Sequence, residues 1–410
     1  MAEVKPEVET FAKIKVAGVG GSGGNAITRM IECKLTGVDF VAINTDAQDL
    51  HACAAGEKIH IGKNLTRGLG AGMNPELGRQ AAEENRDEIQ EAFKGADMVF
   101  VVYGAGGGTG SGAGPVVAEA AREAGALTVG VATKPFTFEG KQRMVIAEES
   151  LENLKDRVDT SITIQNDKLL QIVDRQTSLL NAFKIVDDVL RQGVQGISDL
   201  ITKPGIINVD FADIKSVIQD SGSALMGVGV ASGEERAKKA AEQAINSPLL
   251  DISVVGAKGV LFNVTGGEDL TMMEVNEAAA IITENIDPNA RIIFGAASDD
   301  TIKKDEIKVT VVATGFENKG TGVEDFSSEV NLGDDDEEET DGDFQKSEIT
   351  SFDVDEVDGM ENEFEEESFA DRNEKPEIKP IEDDSDDESP LDNPDDDIEI
   401  PAFIRKKMGK

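Results

Sequence analysis

The sequence has two cysteines, two histidines and no run of eighteen uncharged apolar residues, and each shortage closes off a class of function. Cys33 and Cys53 lack CxxC spacing, so no disulfide framework is expected and both read as small buried residues of a reducing compartment. His51 and His60 are too few for a zinc cage, and no protein metal site is expected. Without a long apolar run there is no membrane span to expect. The charged opening Met1–Thr10 offers no signal-peptide core, so a cytoplasmic address is the expectation. Bases are short too: 40 against 81 acids, for a net charge of −41. Residues 321–410 hold 35 acids and 8 bases, a net of −27, which leaves −14 for residues 1–320. An acidic body with no basic stripe repels phosphate backbones, so nucleic acid is not expected as a partner.

From Ile14 onward, short β-branched runs alternate with longer amphipathic segments. Strands are expected at 14–20, 38–44, 96–104 and 126–133, with helices at 25–35, 75–93 and 115–125. Near-continuous apolar strands alternating with helices predict a parallel sheet covered on both faces. A helix over 177–201 is apolar on most of its faces and reads as a buried central connector. Further strands at 259–267, 290–298 and 307–316 belong to a second α+β domain. The chain therefore reads as a flexible lead (1–12), a Rossmann-like α/β domain (13–176), the central helix (177–201), a C-terminal α+β domain (202–317), a disordered acidic linker (318–394) and a terminal peptide (395–410). The linker composition, with DDDEEETDGD and EDDSDDES, cannot bury enough apolar surface to offset the entropy of ordering.

Two glycine segments carry the chemistry. Gly18-Val19-Gly20-Gly21-Ser22-Gly23 satisfies G-x-G-x-x-G between a strand and a helix, with Asp46 further on. Glycines there let backbone N–H groups approach a phosphate at a helix N-terminus. That motif alone fits NAD as well as a nucleoside triphosphate. The second segment, Gly104-Ala105-Gly106-Gly107-Gly108-Thr109-Gly110-Ser111-Gly112, again joins a buried strand to a helix. So many glycines are costly unless the backbone forms an anion nest, and two nests on one sheet suit a polyphosphate. No GxxxxGK[ST] sequence occurs, which excludes an ordinary P-loop.

GGGTGSG at 106–112 resembles the tubulin/FtsZ signature GGGTG[ST]G, and the resemblance to that family, in its bacterial cell-division branch, runs from about Ile14 to Phe316. Other family motifs stand in order: Asn44-Thr45-Asp46, Gly70-Ala71-Gly72-Met73-Asn74-Pro75, Pro135-Phe136 with Phe138-Glu139-Gly140 and Arg143, Asn166-Asp167-Lys168, and Asn208-Val209-Asp210-Phe211-Ala212-Asp213. Two departures are Ser22, where glycine is frequent, and Gly114, where alanine is usual.

The resemblance implies GTP and GDP as ligands, with Mg²⁺ held mainly through phosphates and water. It assigns the phosphates to Gly20, Gly21, Ser22, Gly23, Gly24 and Asn25, with Asn44 and Asp46 nearby, and to Gly106, Gly107, Gly108, Thr109, Gly110, Ser111 and Gly112. Gly70, Ala71 and Gly72 lie near the γ-phosphate, Glu139 and Arg143 by the ribose and phosphates, and Asn166, Phe183 and Asp187 at guanine. An aromatic ring can stack on the purine while a carboxylate accepts guanine's N1–H and N2–H₂, donors that adenine lacks. Asn208, Asp210 and Asp213 are implied to orient the attacking water on the next subunit's nucleotide. Read without the family, Asp210 is as well explained as a helix cap.

The C-terminal DIEIPAFIRKK has acids first, proline at the start and bases last, with Ile400, Phe403 and Ile404 on one helical face. It resembles the family's tail peptide for membrane tethers and division-ring regulators. The expectation is thus a GTPase that forms head-to-tail homopolymers, acting in a ring on the inner face of the membrane at mid-cell without inserting into it. A non-polymerising tubulin-like GTP-binding regulator and an NAD-binding Rossmann enzyme are the alternatives.

Overall fold

Buried parallel strands need helices on both faces, and the first half of the chain supplies them in strict alternation. The computed structural model describes residues 12–170, 177–203, 205–207, 209–247, 256–284, 286–299 and 302–316. The lead at 1–11, the expected linker and terminal peptide at 318–410, and Asn208 lie outside the described residues.

The N-terminal half runs β1 (Ile14–Val19), α1 (Gly20–Glu32), β2 (Val38–Asn44), α2 (Ala47–Ala52), β3 (Glu57–His60), α3 (Lys63–Thr66), α4 (Pro75–Glu84), α5 (Arg86–Phe93) and β4 (Met98–Gly104). It continues through α6 (Gly108–Glu123), β5 (Leu127–Lys134), a 3₁₀ turn at Thr137–Glu139, α7 (Lys141–Lys155), β6 (Thr160–Gln165) and α8 (Asn166–Leu169). The long α9 (Leu179–Thr202) follows. Then come α10 (Phe211–Ile218), β7 (Gly222–Ser232), α11 (Arg236–Ile245), β8 (Gly259–Gly266), α12 (Met272–Glu284), β9 (Arg291–Ser298) and β10 (Glu306–Thr314).

All ten strands join one sheet, in the order β3-β2-β1-β4-β5-β6-β7-β10-β8-β9. From β3 to β7 every pairing is parallel; β10 is antiparallel to both β7 and β8, and β8–β9 is parallel again. One face of the first half is covered by α4 to α7 through Ala82, Phe93, Val117 and Leu151. The other carries α1 and α9, where Ile27, Met30, Val186, Leu190 and Ile197 pack on Val16, Phe100 and Val129. That same cluster continues into Ile214, Met226, Leu261 and Val312, so α9 packs across the junction of the two halves. A third cluster, built from α11, α12, β8 and β10, fills the C-terminal half.

The elements differ from the sequence pattern in instructive places. Helices expected from Asn25 and Pro115 begin at Gly20 and Gly108, so the glycines form the first helical turns themselves. The helix expected over 75–93 is broken at Asn85, whose backbone adopts φ −112°, ψ 20° and whose side chain accepts the Gly62 N–H at 3.0 Å. Strand β7 was not expected. Its glycines dilute the β signal, and Gly229 is there because α11 lies backbone-close: a Cβ would sit 1.9 Å from the Ala240 carbonyl oxygen.

That contact gives a stability test. Gly229→Ala should destabilise the fold by about 2–3 kcal/mol, because α11 must move off the sheet. Gly56→Ala, where a Cβ meets nothing within 4 Å, should change stability by less than about 0.5 kcal/mol. Urea denaturation of the two variants, followed by circular dichroism, checks the contrast.

Candidate active site

The carboxyl ends of β1, β4 and β5 open into a cavity of about 570 Å³. Its floor is backbone. β1 passes into α1 at Gly20 (φ +71°) and β4 passes into α6 through Gly107, and neither helix has a side-chain cap. Apart from the Gly108 N–H, the first amides of both helices receive no side-chain cap and can face a ligand. The two helix ends touch: a Cβ on Gly20 would meet the Gly110 amide nitrogen at 3.0 Å. A third segment closes on them, since Gly108 N–H donates to the Gly72 carbonyl at 2.8 Å and a Cβ on Gly108 would lie 2.5 Å from that oxygen. Thr109 shares its hydroxyl with Thr45 at 2.6 Å, which ties α6 to the end of β2.

Gly20, Gly21, Ser22, Asn25, Gly72, Gly107, Gly108, Thr109 and Gly110 line the cavity. Gly23, Gly24, Gly70, Ala71, Gly106, Ser111 and Gly112 do not, and Gly24 borders a smaller side cavity instead. Gly23 packs against the Val102 carbonyl, where a Cβ would come within 2.5 Å, and Ser111 Oγ accepts the Gly106 N–H at 2.8 Å. Asp46 is also outside the lining. Its carboxylate caps α2 by accepting the amides of Gln48 and Asp49 at 2.8 and 3.2 Å. Asn44 accepts the Asp46 N–H at 3.2 Å and borders a side cavity of about 100 Å³ shared with Asn25, Thr28 and Asp49.

The far wall supplies the side chains. Glu139 and Arg143, one turn apart across the start of α7, form an ion pair at 2.6 Å, and Glu139 also accepts the Phe136 N–H at 3.0 Å. Asn166 is buried and lines the cavity, yet its Oδ1 has no partner among the described residues. An orphaned buried acceptor there is a place for a ligand's N–H. Phe183 and Asp187 lie four residues apart on one face of α9. Phe183 is 40% exposed and meets Phe136 edge-on at 5.6 Å, so an open ring face remains beside the cavity. Burial pushes the Asp187 carboxyl up to about 6, against the pull of the nearby Arg29 guanidinium. Arg29 and Asp49 were not singled out in the sequence. Both sit on helix faces whose approach to the site exists only in the fold.

Asp210 and Asp213 lie elsewhere. Asp210 is the N-cap residue of α10 but its side chain makes no cap bond, and both carboxylates are exposed. No hydrogen bond or ion pair of either carboxylate occurs among the described residues. They follow the C-terminal end of α9, whereas Asp187 is near its start, so roughly 20 Å of helix separates them from the cavity.

Residues 13–174 match the family model described as the GTPase domain of the tubulin/FtsZ family, and residues 222–317 match that of the FtsZ family C-terminal domain. An FtsZ from M. jannaschii, solved as an empty dimer, is 50% identical, with TM-score 0.72 over 75% of this chain and 89% of that one. The chain belongs to the tubulin/FtsZ family of GTPases. Two CetZ proteins of Haloferax volcanii share the fold. CetZ2, in a GTPγS-bound protofilament, is 22% identical with TM-score 0.65 over 75% of this chain and 94% of that one. CetZ1, a GDP-bound monomer, is 21% identical with TM-score 0.64 over 75% and 95%. As a tubulin/FtsZ-family GTPase the chain binds guanine nucleotide and hydrolyses GTP.

If Asp187 accepts the guanine donors, as the sequence resemblance implies, the site has a pH signature. Only the ionised carboxylate accepts both guanine donors, so GDP affinity should be level above about pH 7 and fall by about tenfold per unit once the pH is below 6. Asp187→Asn should bind more weakly and lose the dependence. Fluorescence titration of labelled GDP from pH 5 to 8 measures both, and an unchanged slope in the variant would exclude Asp187.

Proposed function

We propose that the chain polymerises head-to-tail, and that each nucleotide is hydrolysed only when the neighbour's Asn208–Asp213 segment reaches it. The carrying observation is the separation just described: two exposed carboxylates, unengaged among the described residues, follow the opposite end of α9 from the cavity. Placed over a γ-phosphate, Asp210 and Asp213 orient and polarise water, while the α1 and α6 amides hold the phosphates. Arg143 stays with Glu139 beside the ribose, Phe183 stacks on guanine, and Asp187 and Asn166 accept its N–H groups.

Exposed apolar side chains support two complementary ends. Leu69, Met73 and Phe138, 81%, 42% and 62% exposed, stand around the cavity mouth. Ile206 and Met272, 68% and 76% exposed, belong to the other end. There Lys203 binds Asp299 at 2.8 Å and Asp299 N–H reaches the Gly266 carbonyl at 2.9 Å, which gathers the ends of α9, β8 and β9. Two different patches on one subunit make a heterologous contact that propagates rather than closes. A non-polymerising regulator would have no use for either.

Among the described residues no three His, Cys, Asp or Glu side chains converge on a metal. The resemblance implies Mg²⁺, which would be held through GTP phosphate oxygens and water and would supply charge neutralisation at the transferring phosphate. The filament's place is a cytokinetic ring at the division site, on the inner face of the membrane. Its attachment runs through the 395–410 peptide to a tether and ring regulators. The bacterial assignment of that ring rests on the sequence resemblance, since the FtsZ relative named above is archaeal. No helix among the described residues is long and apolar enough to cross a membrane.

The specific GTPase rate should climb with protein concentration and level off above the assembly threshold. Asp213→Ala should keep GDP affinity within about threefold while losing about 10²–10⁴-fold in turnover. Phosphate release and light scattering on the same samples test both. A specific rate that stays flat well below the assembly concentration would overturn the shared site.

A further inference from the structure

A proline breaks the hydrogen bonding of the very helix that bears the second glycine segment. Pro115 stands inside α6, four residues after Ser111, so the amide that would normally bond the Ser111 carbonyl is missing. The gap is filled from another element. Ser150, on α7, donates its hydroxyl to the Ser111 carbonyl at 2.9 Å. A serine hydroxyl has one hydrogen, and Ser150 has used it there. In the 3.1 Å contact between Tyr103 Oη and Ser150 Oγ, the donor is therefore Tyr103. Ser111 in turn accepts the Gly106 N–H on its Oγ at 2.8 Å.

These bonds close a circuit. It leaves β4 at Tyr103, crosses to α7 at Ser150, passes to α6 at Ser111 and returns to Gly106, three residues beyond Tyr103. Tyr103, Ser150 and Ser111 are 0%, 3% and 4% exposed, so no water substitutes for any member. Burial also holds the Tyr103 hydroxyl well above its ordinary pKa, so it remains a donor at every working pH. The ring has been given room: at Gly114 a Cβ would lie 2.8 Å from Tyr103 Cε1. The departure from alanine at position 114 thus has a cause in this chain, which is the aromatic ring that α6 must accommodate.

We propose that Tyr103 is a positioning residue for the nucleotide's phosphates, acting through Ser150 and Ser111 to fix the 104–112 segment. The proposal rests on reading that segment as the phosphate cradle. The segment is otherwise nearly all glycine, and Gly106 stands at φ +98°. The circuit aims its amides together with the Gly108–Gly72 and Thr109–Thr45 bonds, and it is the tie that holds Gly106 and Ser111. Freed, the segment samples many conformations, and the phosphates must select the binding one.

Ser150→Ala leaves the Ser111 carbonyl and the Tyr103 hydroxyl buried without partners. Tyr103→Phe removes one bond and keeps the packing. Ser150→Thr restores a hydroxyl. Nucleotide-free full-length protein is titrated with GDP, kcat and KM for GTP are measured at one protein concentration, and Tm is recorded for each variant. Ile282→Val, a change in the buried C-terminal core, serves as the stability control.

We expect Ser150→Ala to raise the GDP Kd and the GTP KM by about tenfold with kcat within about twofold. Tyr103→Phe should shift both by about threefold, and Ser150→Thr should recover most of the loss. A purely structural role lowers Tm and leaves Kd and KM of the folded protein unchanged, as in the control; that result for both Ser150→Ala and Tyr103→Phe overturns the proposal. If Ser150→Ala does not fold, Tyr103→Phe decides alone. If the parent chain itself fails to bind GDP, the cradle reading has fallen rather than the brace.

Discussion

Everything at the nucleotide end depends on three backbones approaching closer than any side chain permits. α1, α6 and the 70–74 segment meet at Gly20, Gly110, Gly108 and Gly72, and a single Cβ at Gly108 would drive into the Gly72 oxygen. The approach is what brings two uncapped helix ends to one cavity. Each helix end carries about half a positive charge, so together they offer up to about one unit facing the cavity. Among the described residues Arg143 is the single basic side chain in the lining, and it is paired with Glu139. If the cavity is the phosphate site, a body with net charge −14 would hold a polyphosphate through peptide dipoles more than through lysines.

The same constraint accounts for the burial on the far side of the cradle. Helices that begin with glycine lose the side-chain contacts that ordinarily fix a first turn, and α6 loses an amide at Pro115 as well. Compensation comes from neighbours. Thr45 ties down Thr109, Gly72 ties down Gly108, and Ser150 with Tyr103 ties down Ser111. Rigidity in this site is imported from β2, α7 and β4, and each import is a buried polar contact that must be satisfied to help at all.

Much of this was legible in the residues. Runs such as Met98–Tyr103 are buried on both faces, so their apolar continuity identifies parallel strands with little ambiguity. The glycine segments announce a phosphate, because few other needs justify their entropy. What stayed hidden is helical periodicity where there are no side chains to carry it: Gly20–Gly24 and Gly108–Gly112 are helix, yet present no apolar face to count. The bond between Tyr103 and Ser150 and the electrostatic pull of Arg29 on Asp187 were hidden for another reason. They join residues 47 apart, or helices α9 and α1, and no local spacing encodes them. Asp210 keeps both of its readings: it occupies an N-cap position, but its carboxylate leaves the cap bond unmade.

α9 gives the molecule its direction. Its first turns carry Phe183 and Asp187 to the cavity, and its last turn ends in Lys203, paired with Asp199 at 3.1 Å and Asp299 at 2.8 Å. Between them the helix is packed by Val186, Leu190, Val194 and Ile197 against strands of both halves, so it cannot bend to bring its ends together. On the proposed shared site, a rigid rod with the cavity at one end and free carboxylates beyond the other leaves a subunit chemically incomplete at both. A second subunit, placed end to end, would then join the two parts. Any change that shifts α9 along its axis moves the base pocket and the carboxylate end together. On the same proposal, the nucleotide and the polymer contact would be mechanically coupled through one buried helix, before any conformational switch is invoked.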